Sequence, residues 1–182
     1  MVVKPIGSAG ILVLEPQAFG DHRGWFMEGW NRDRYRALGI KQDLVQFNVS
    51  RSTKGVLRGL HYQEPCPQGK LVMALEGCVM DYAVDIRVGS PTFGQWWRYQ
   101  LDDEAHAQLW VPPGFAHGFE VLSDRALFAY LVTEFYQSEN DRAIHYRDPE
   151  LKIDWLTEGP QVSAKDAAAP FLTDAVVLPS YA

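Results

Sequence analysis

Two segments place ionisable side chains inside otherwise apolar, strand-like stretches. Val56 to Gln63 carries Arg58, His61, Tyr62 and Gln63, and Trp110 to Phe119 carries His117. Each buried polar group must find a partner, so a β-barrel interior holding histidine, arginine and tyrosine is more often a ligand site than a dry core. His61 and His117 are the two candidate metal ligands in these segments, short of the three or four protein ligands a transition-metal site generally uses. The expectation is therefore chemistry without a bound metal or other cofactor. For His117 two readings stand side by side: a structural histidine donating to a backbone carbonyl, or a contact to substrate.

The elements that must position these groups are mostly strands. Ile11 to Leu14 reads as a strand ending at Pro16, and Phe19 to Gly24 as a turn-rich loop. Asn31 to Leu38 has a cap residue at its start and Gly39 at its end, giving one short polar helix. From Leu44 to Glu134 the chain reads as strands and turns. Lys70 to Leu75 and Val79 to Ile86, joined at Glu76 and Gly77, predict a hairpin. Gln95 to Leu101, Gln108 to Val111, Gly118 to Leu122 and Ala126 to Glu134 predict four more strands, separated by turn clusters such as Gly89 to Gly94. Strands recurring without intervening helices indicate an antiparallel sandwich or barrel. The tail beyond Ile153 is mixed, with a turn over Asp166 to Pro170.

Composition sets the outer bounds. At 182 residues the chain is expected to form a single domain over 1–182 that buries roughly 70% of its unfolded surface without disulfide or metal staples. Lys and Arg number 17 against 23 Asp and Glu, a net charge of −6 that argues against nucleic acid or an anionic membrane as partner. No apolar run approaches the roughly 20 residues of a membrane helix, and Met1 to Pro5 has no signal-peptide core, so the expected location is cytoplasmic. Cys66 and Cys78 lack metal or redox spacing and are expected to be reduced. Six Trp, eight Tyr and nine Phe make 13% of the chain, an excess that suits strands and flat-ring recognition.

Further motifs carry a specific resemblance. Pro112-x-Gly114-x-x-His117 has the spacing of the second metal motif of cupin barrels, but His61, Tyr62 and Gln63 do not supply the His-x-His and Glu of the first. Arg23 and Gly24 with Glu28, Gln46-x-Asn48-x-Ser50, Gly55 to Gln63, and Gly69 with Lys70 follow one another in order. Gly89 to Gly94, Pro113 to Phe119, Tyr130, Asp148 with Pro149, and Ser163-x-Lys165-Asp166 complete the series. Together they resemble the dTDP-4-dehydrorhamnose 3,5-epimerase family from about Leu14 to Asp166. The resemblance implies a mainly β, cupin-like double-stranded β-helix (jelly roll) with a few short helices. It also implies a homodimer acting without metal on a dTDP-linked 4-keto-6-deoxyhexose.

An epimerase adjacent to a ketone needs a base on one face of the sugar, a proton donor on the other and a cation at the oxygen. The resemblance makes His61 the base, Asp166 its partner, Tyr130 the acid and Lys70 the cation at the developing enolate. Ser163-x-x-Asp166 is equally a helix capping box, Tyr130 could be core, and Lys70 could be an ordinary strand-end lysine. Arg23 and Arg58 are the candidate diphosphate ligands, because guanidinium forks pair bidentately with phosphate oxygens. Arg58 and His61 are three residues apart and face opposite ways on a regular strand, so both assignments require a bulge, with Gly59 the plausible site. The family pattern adds Glu28, Gln46, Asn48, His117, Asp141 and Lys165 as substrate contacts and Tyr136 as the ring that stacks on thymine. Tyr136 could instead be edge packing, and Lys165 a solvated lysine. Phe47 replaces an Asp common in the family, Val49 a frequent His, Asp141 a Glu and Leu156 a Pro. A 3-epimerase of the same substrate, or a non-catalytic nucleotide-sugar-binding cupin, fits the same motifs.

Overall fold

Inward-facing apolar residues alternate along most strands, and this pattern folds the chain into two facing antiparallel sheets. The structure is a computed structural model and describes residues 1–181. The strands are β1 (Val2–Ile6), β2 (Ile11–Glu15), β3 (Ala18–Asp21), β4 (Gly24–Met27), β5 (Gln46–Thr53), β6 (Leu57–Gln63) and β7 (Lys70–Glu76). They continue as β8 (Cys78–Asp85), β9 (Trp96–Asp102), β10 (Gln108–Val111), β11 (Phe115–Val121), β12 (Arg125–Val132) and β13 (Asp141–Ala143). Two short helices, α1 (Arg32–Ala37) and α2 (Ala164–Ala167), complete the set with two 3-10 turns. One sheet runs β1-β2-β10-β7-β12-β5 and the other β13-β6-β11-β8-β9, while β3 and β4 pair only with each other. This is the expected jelly roll.

The main core lies between the sheets, where Val72, Leu109 and Phe128 of one meet Val79, Ala83, Leu101 and Phe119 of the other. The outer face of the five-stranded sheet is covered too: Leu60, Tyr62 and Val84 pack with Ile144, Leu151 and Leu172 of the C-terminal segment. On the six-stranded sheet Leu14, Leu71 and Trp110 bury against Tyr35 and Ile40, around the predicted helix. The Asn31 side chain caps that helix, accepting from Arg34 N at 3.1 Å.

Three expectations change. β7 and β8 do not form a hairpin: β7 pairs with β10 and β12, and β8 with β9 and β11. Gly77, at φ +78°, turns the chain from one sheet to the other instead of back on itself, and a Cβ there would meet Arg125 O at 2.1 Å. The segment Phe19 to Gly24, read as a loop, is most of the β3–β4 hairpin, whose Phe19, Trp25 and Phe26 are exposed. The turn expected over Asp166 to Pro170 begins inside α2, which takes up Asp166 and Ala167 and has Ser163 as its cap.

Gly59 forms the bulge that the site requires. His117 pairs with His61 but Phe119 pairs with Arg58, so two residues of β6 oppose one of β11. At φ +141° the bulge suits glycine, and a Cβ would lie 2.6 Å from Gly118 Cα. Arg58 and His61 consequently share the inner face, while Leu60 and Tyr62 point into the outer cluster.

Candidate active site

The bulge and the two sheets together define a polar pocket between otherwise apolar layers. Arg58 and His61 of β6 and His117 of β11 line one wall, and Lys70 of β7 and Tyr130 of β12 line the other. Asp141, Tyr136 and Lys165 close its mouth, and Phe119 and Phe128, stacked at 4.1 Å, form its apolar floor.

His61 Nε2 lies 2.7 Å from Asp166 Oδ1. Burial pushes the Asp166 carboxyl up, but bonds from His61, Gly59 N and Ser163 outweigh it and hold the group below the usual carboxylate range. An ionised carboxylate accepts only, so Nε2 carries the proton and Nδ1 keeps its lone pair. The two readings of Asp166 prove compatible: its backbone N–H donates to Ser163 Oγ at 3.1 Å while its carboxylate holds His61.

Lys70 is 7% exposed, with Nζ donating to His61 O at 3.2 Å. Burial pulls its pKa down to about 8, partly opposed by the charges of Asp81 and Asp141. It is therefore a buried ammonium, not a strand-end lysine in solvent. Tyr130 is pushed up by burial, with Arg58 opposing, so its phenol stays protonated at neutral pH.

His117 does not donate to a backbone carbonyl. Its Nε2 sits 3.0 and 2.9 Å from the two carboxylate oxygens of Asp81, and burial lowers its pKa despite that partner. Asp81 was not singled out in the sequence. The available signal was parity: Asp81 and Asp85 share a face of β8 with Val79 and Ala83, an acidic pair on an inward, apolar row.

The remaining predicted residues divide. Arg58 Nε donates to Ser52 Oγ at 3.0 Å, and Lys165 Nζ is bonded to Asp141, which also accepts from Tyr136 OH at 3.0 Å. Tyr136 reaches the pocket from a loop and not from a continued strand, since β12 ends at Val132; Gln46 Oε1 accepts its backbone N–H at 2.9 Å. Asn48 is opposite Tyr130 in the β5–β12 ladder and accepts from Gln46 Nε2 at 2.8 Å. Arg23 and Glu28 are not brought into the pocket of their own chain. Arg23 is tied to Asp21 across the exposed hairpin turn, and Glu28 pairs with Arg34 at 2.9 Å. The hairpin belongs to neither large sheet, which explains the separation. Ser50, Tyr62, Gln63 and Gln68 also line the pocket. Among the described residues, no three His, Cys, Asp or Glu side chains group as metal ligands.

The geometry has close counterparts among known proteins. The family model for dTDP-4-dehydrorhamnose 3,5-epimerase matches residues 6–174. A dTDP-4-dehydrorhamnose 3,5-epimerase of Pseudomonas aeruginosa is 50% identical over 93% of this chain and 94% of its own. A dTDP-4-dehydrorhamnose 3-epimerase of Streptomyces niveus is 39% identical over 100% of this chain and 90% of its own. The crystal structure of a dTDP-6-deoxy-D-glucose-3,5-epimerase from Legionella pneumophila, in complex with dTDP-4-keto-L-rhamnose, superposes with a TM-score of 0.96 at 51% identity, covering 100% of this chain and 98% of that one. The chain belongs to the dTDP-4-dehydrorhamnose 3,5-epimerase family.

Proposed function

We propose that this protein is an isomerase that inverts C3 and C5 of dTDP-4-keto-6-deoxy-D-glucose, giving dTDP-4-keto-L-rhamnose for deoxysugar biosynthesis. The observation that carries the reading is the placement of a histidine held by Asp166 on one sheet and a protonated phenol, Tyr130, on the other. Inversion requires a base and an acid on opposite faces of the reacting carbon, and the two sheets supply opposite walls.

His61 Nδ1 takes the proton from the carbon next to the ketone. The electron pair moves onto the carbonyl oxygen, where the buried Lys70 ammonium stabilises the enolate. Asp166 stabilises the imidazolium. Tyr130 then returns a proton from the other face and recovers one from solvent, while the His61 imidazolium releases its proton to solvent. Arg58 binds the diphosphate, Tyr136 stacks on thymine, and Asp141, Lys165, Gln46, Asn48 and His117 hold base and sugar. A homodimer in which the exposed β3–β4 hairpin reaches the pocket of a second copy accounts for Arg23 and Glu28, and for the apolar exposure of Phe19, Trp25 and Phe26. We place the protein in the cytosol, where its free Cys66 and Cys78 remain thiols. No metal or other cofactor takes part in these steps.

The test is turnover in heavy water. Deuterium at both C3 and C5 is the expected result. Deuterium at C3 alone would replace the reading with a 3-epimerase, and no exchange at saturating ligand would replace it with a binding protein.

A further inference from the structure

Asp81 is buried inside the site, and none of the proton transfers above uses it. Its side chain is inaccessible, and among the described residues its hydrogen-bond donor is His117 Nε2, which reaches both carboxylate oxygens. That donor is neutral, so it leaves the charge of Asp81 without a bonded cation. The Lys70 ammonium is in the complementary position: it is buried, and among the described residues its one side-chain hydrogen bond goes to an uncharged carbonyl, His61 O. Of the two carboxylates that favour its charge, Asp141 is already engaged by Lys165 and Tyr136.

We propose that Asp81 is a positioning residue of this site: it fixes His117 as the Nε2–H tautomer and supplies the counter-charge for the Lys70 ammonium at the enolate oxygen. Two consequences follow from the bonds. With its proton committed to Asp81, His117 presents Nδ1 as an acceptor, suited to a sugar hydroxyl and unsuited to the enolate oxygen. The charge of Asp81 favours the Lys70 ammonium against a burial cost that acts the other way. The other groups that face Lys70 are His61 and Arg58 of β6, His117 of β11, Tyr130 of β12, Asp141 of β13 and Lys165 of α2. Of these, Arg58 and Lys165 are cations, and neither is altered by a substitution at Asp81.

The test is Asp81→Asn, which keeps an acceptor for His117 and removes the charge. The pH profile of kcat is expected to lose its alkaline side about one pH unit earlier than in the unvaried enzyme, because Lys70 deprotonates more readily. At pH 7.5 kcat should fall roughly 3-fold, approaching roughly 10-fold on the alkaline limb, with KM and the affinity for dTDP within about twofold. An alkaline limb that stays in place overturns the counter-charge role. If the variant fails to fold, 15N-histidine NMR of the unvaried protein decides the other half, with the His117 signal identified by its loss in His117→Gln. The Nε2–H tautomer from pH 6 to 8 is expected, and an Nδ1–H tautomer or an imidazolium overturns the proposal. The inference rests on the role proposed for Lys70. Failure of that reading appears as missing isotope exchange in the unvaried enzyme, whereas failure of this inference leaves exchange intact and the alkaline limb unmoved.

Discussion

His61 and His117 are paired residues on β6 and β11, each with Nε2 against an aspartate, yet their surroundings separate them. The His61 side chain is 35% exposed and that of His117 is 9% exposed. Their partners differ in the same sense. Asp166 sits at the start of α2, collects a bond from Gly59 N as well, and is held below the usual carboxylate range. Asp81 lies within a strand and is pushed up by burial, an effect that His117 and Lys70 only oppose. The same pair of residue types thus gives an imidazole open to the pocket and one that burial keeps neutral. Solvent access and the number of bonds to the carboxylate make the difference, not residue identity.

The largest effect expected from breaking this comparison is in His61→Ala. It should lower kcat by roughly 10³-fold and abolish exchange at both carbons, measured by deuterium uptake, with His117 unable to substitute. If His117 supported residual exchange at either carbon, the functional distinction between the two imidazoles would fail.

Lys70→Met is next, because Lys70 lines the pocket with both imidazoles and its charge is costly to bury. We expect kcat to fall about 10²-fold as the enolate loses its cation, and Tm to rise by about 2–5 °C because a buried ammonium is replaced by an apolar chain of similar length. The pH dependence fixes the sign. The folded pKa of Lys70, about 8, is below its unfolded value of 10.5, so the unfolded chain binds more protons between these pH values. Unvaried stability should therefore gain on Lys70→Met as pH rises through that window. Thermal melts at pH 7 and pH 10 check this; a stability difference independent of pH would contradict the buried ammonium.

The sequence made much of the site legible because its signals are local or tied to parity. His61, Arg58 and Gly59 lie within four residues, and the conflict between the first two pointed to the bulge observed between β6 and β11. Asp166 came from the Ser163-x-Lys165-Asp166 motif of the family resemblance, with the capping box of Ser163 as its alternative. Asp81 stayed hidden because its partner is 36 residues away, and an acid spaced along an apolar row reads as punctuation of the strand unless that partner is known. The β7–β8 connection was misread for a related reason. A glycine between two apolar runs signals a reversal, but only the burial of β7 on both faces decides that the next strand joins the opposite sheet. Arg23 and Glu28 carry recognisable motifs, yet motif order says nothing about whether a segment packs on its own pocket.

The central claim is that base and acid act from opposite sheets, and Tyr130→Phe in heavy water tests it most directly. The substitution removes only the phenolic hydroxyl from the wall facing His61. The account predicts that deuterium still enters the substrate through His61 while inverted product is impaired. Unchanged epimerisation in Tyr130→Phe would contradict it.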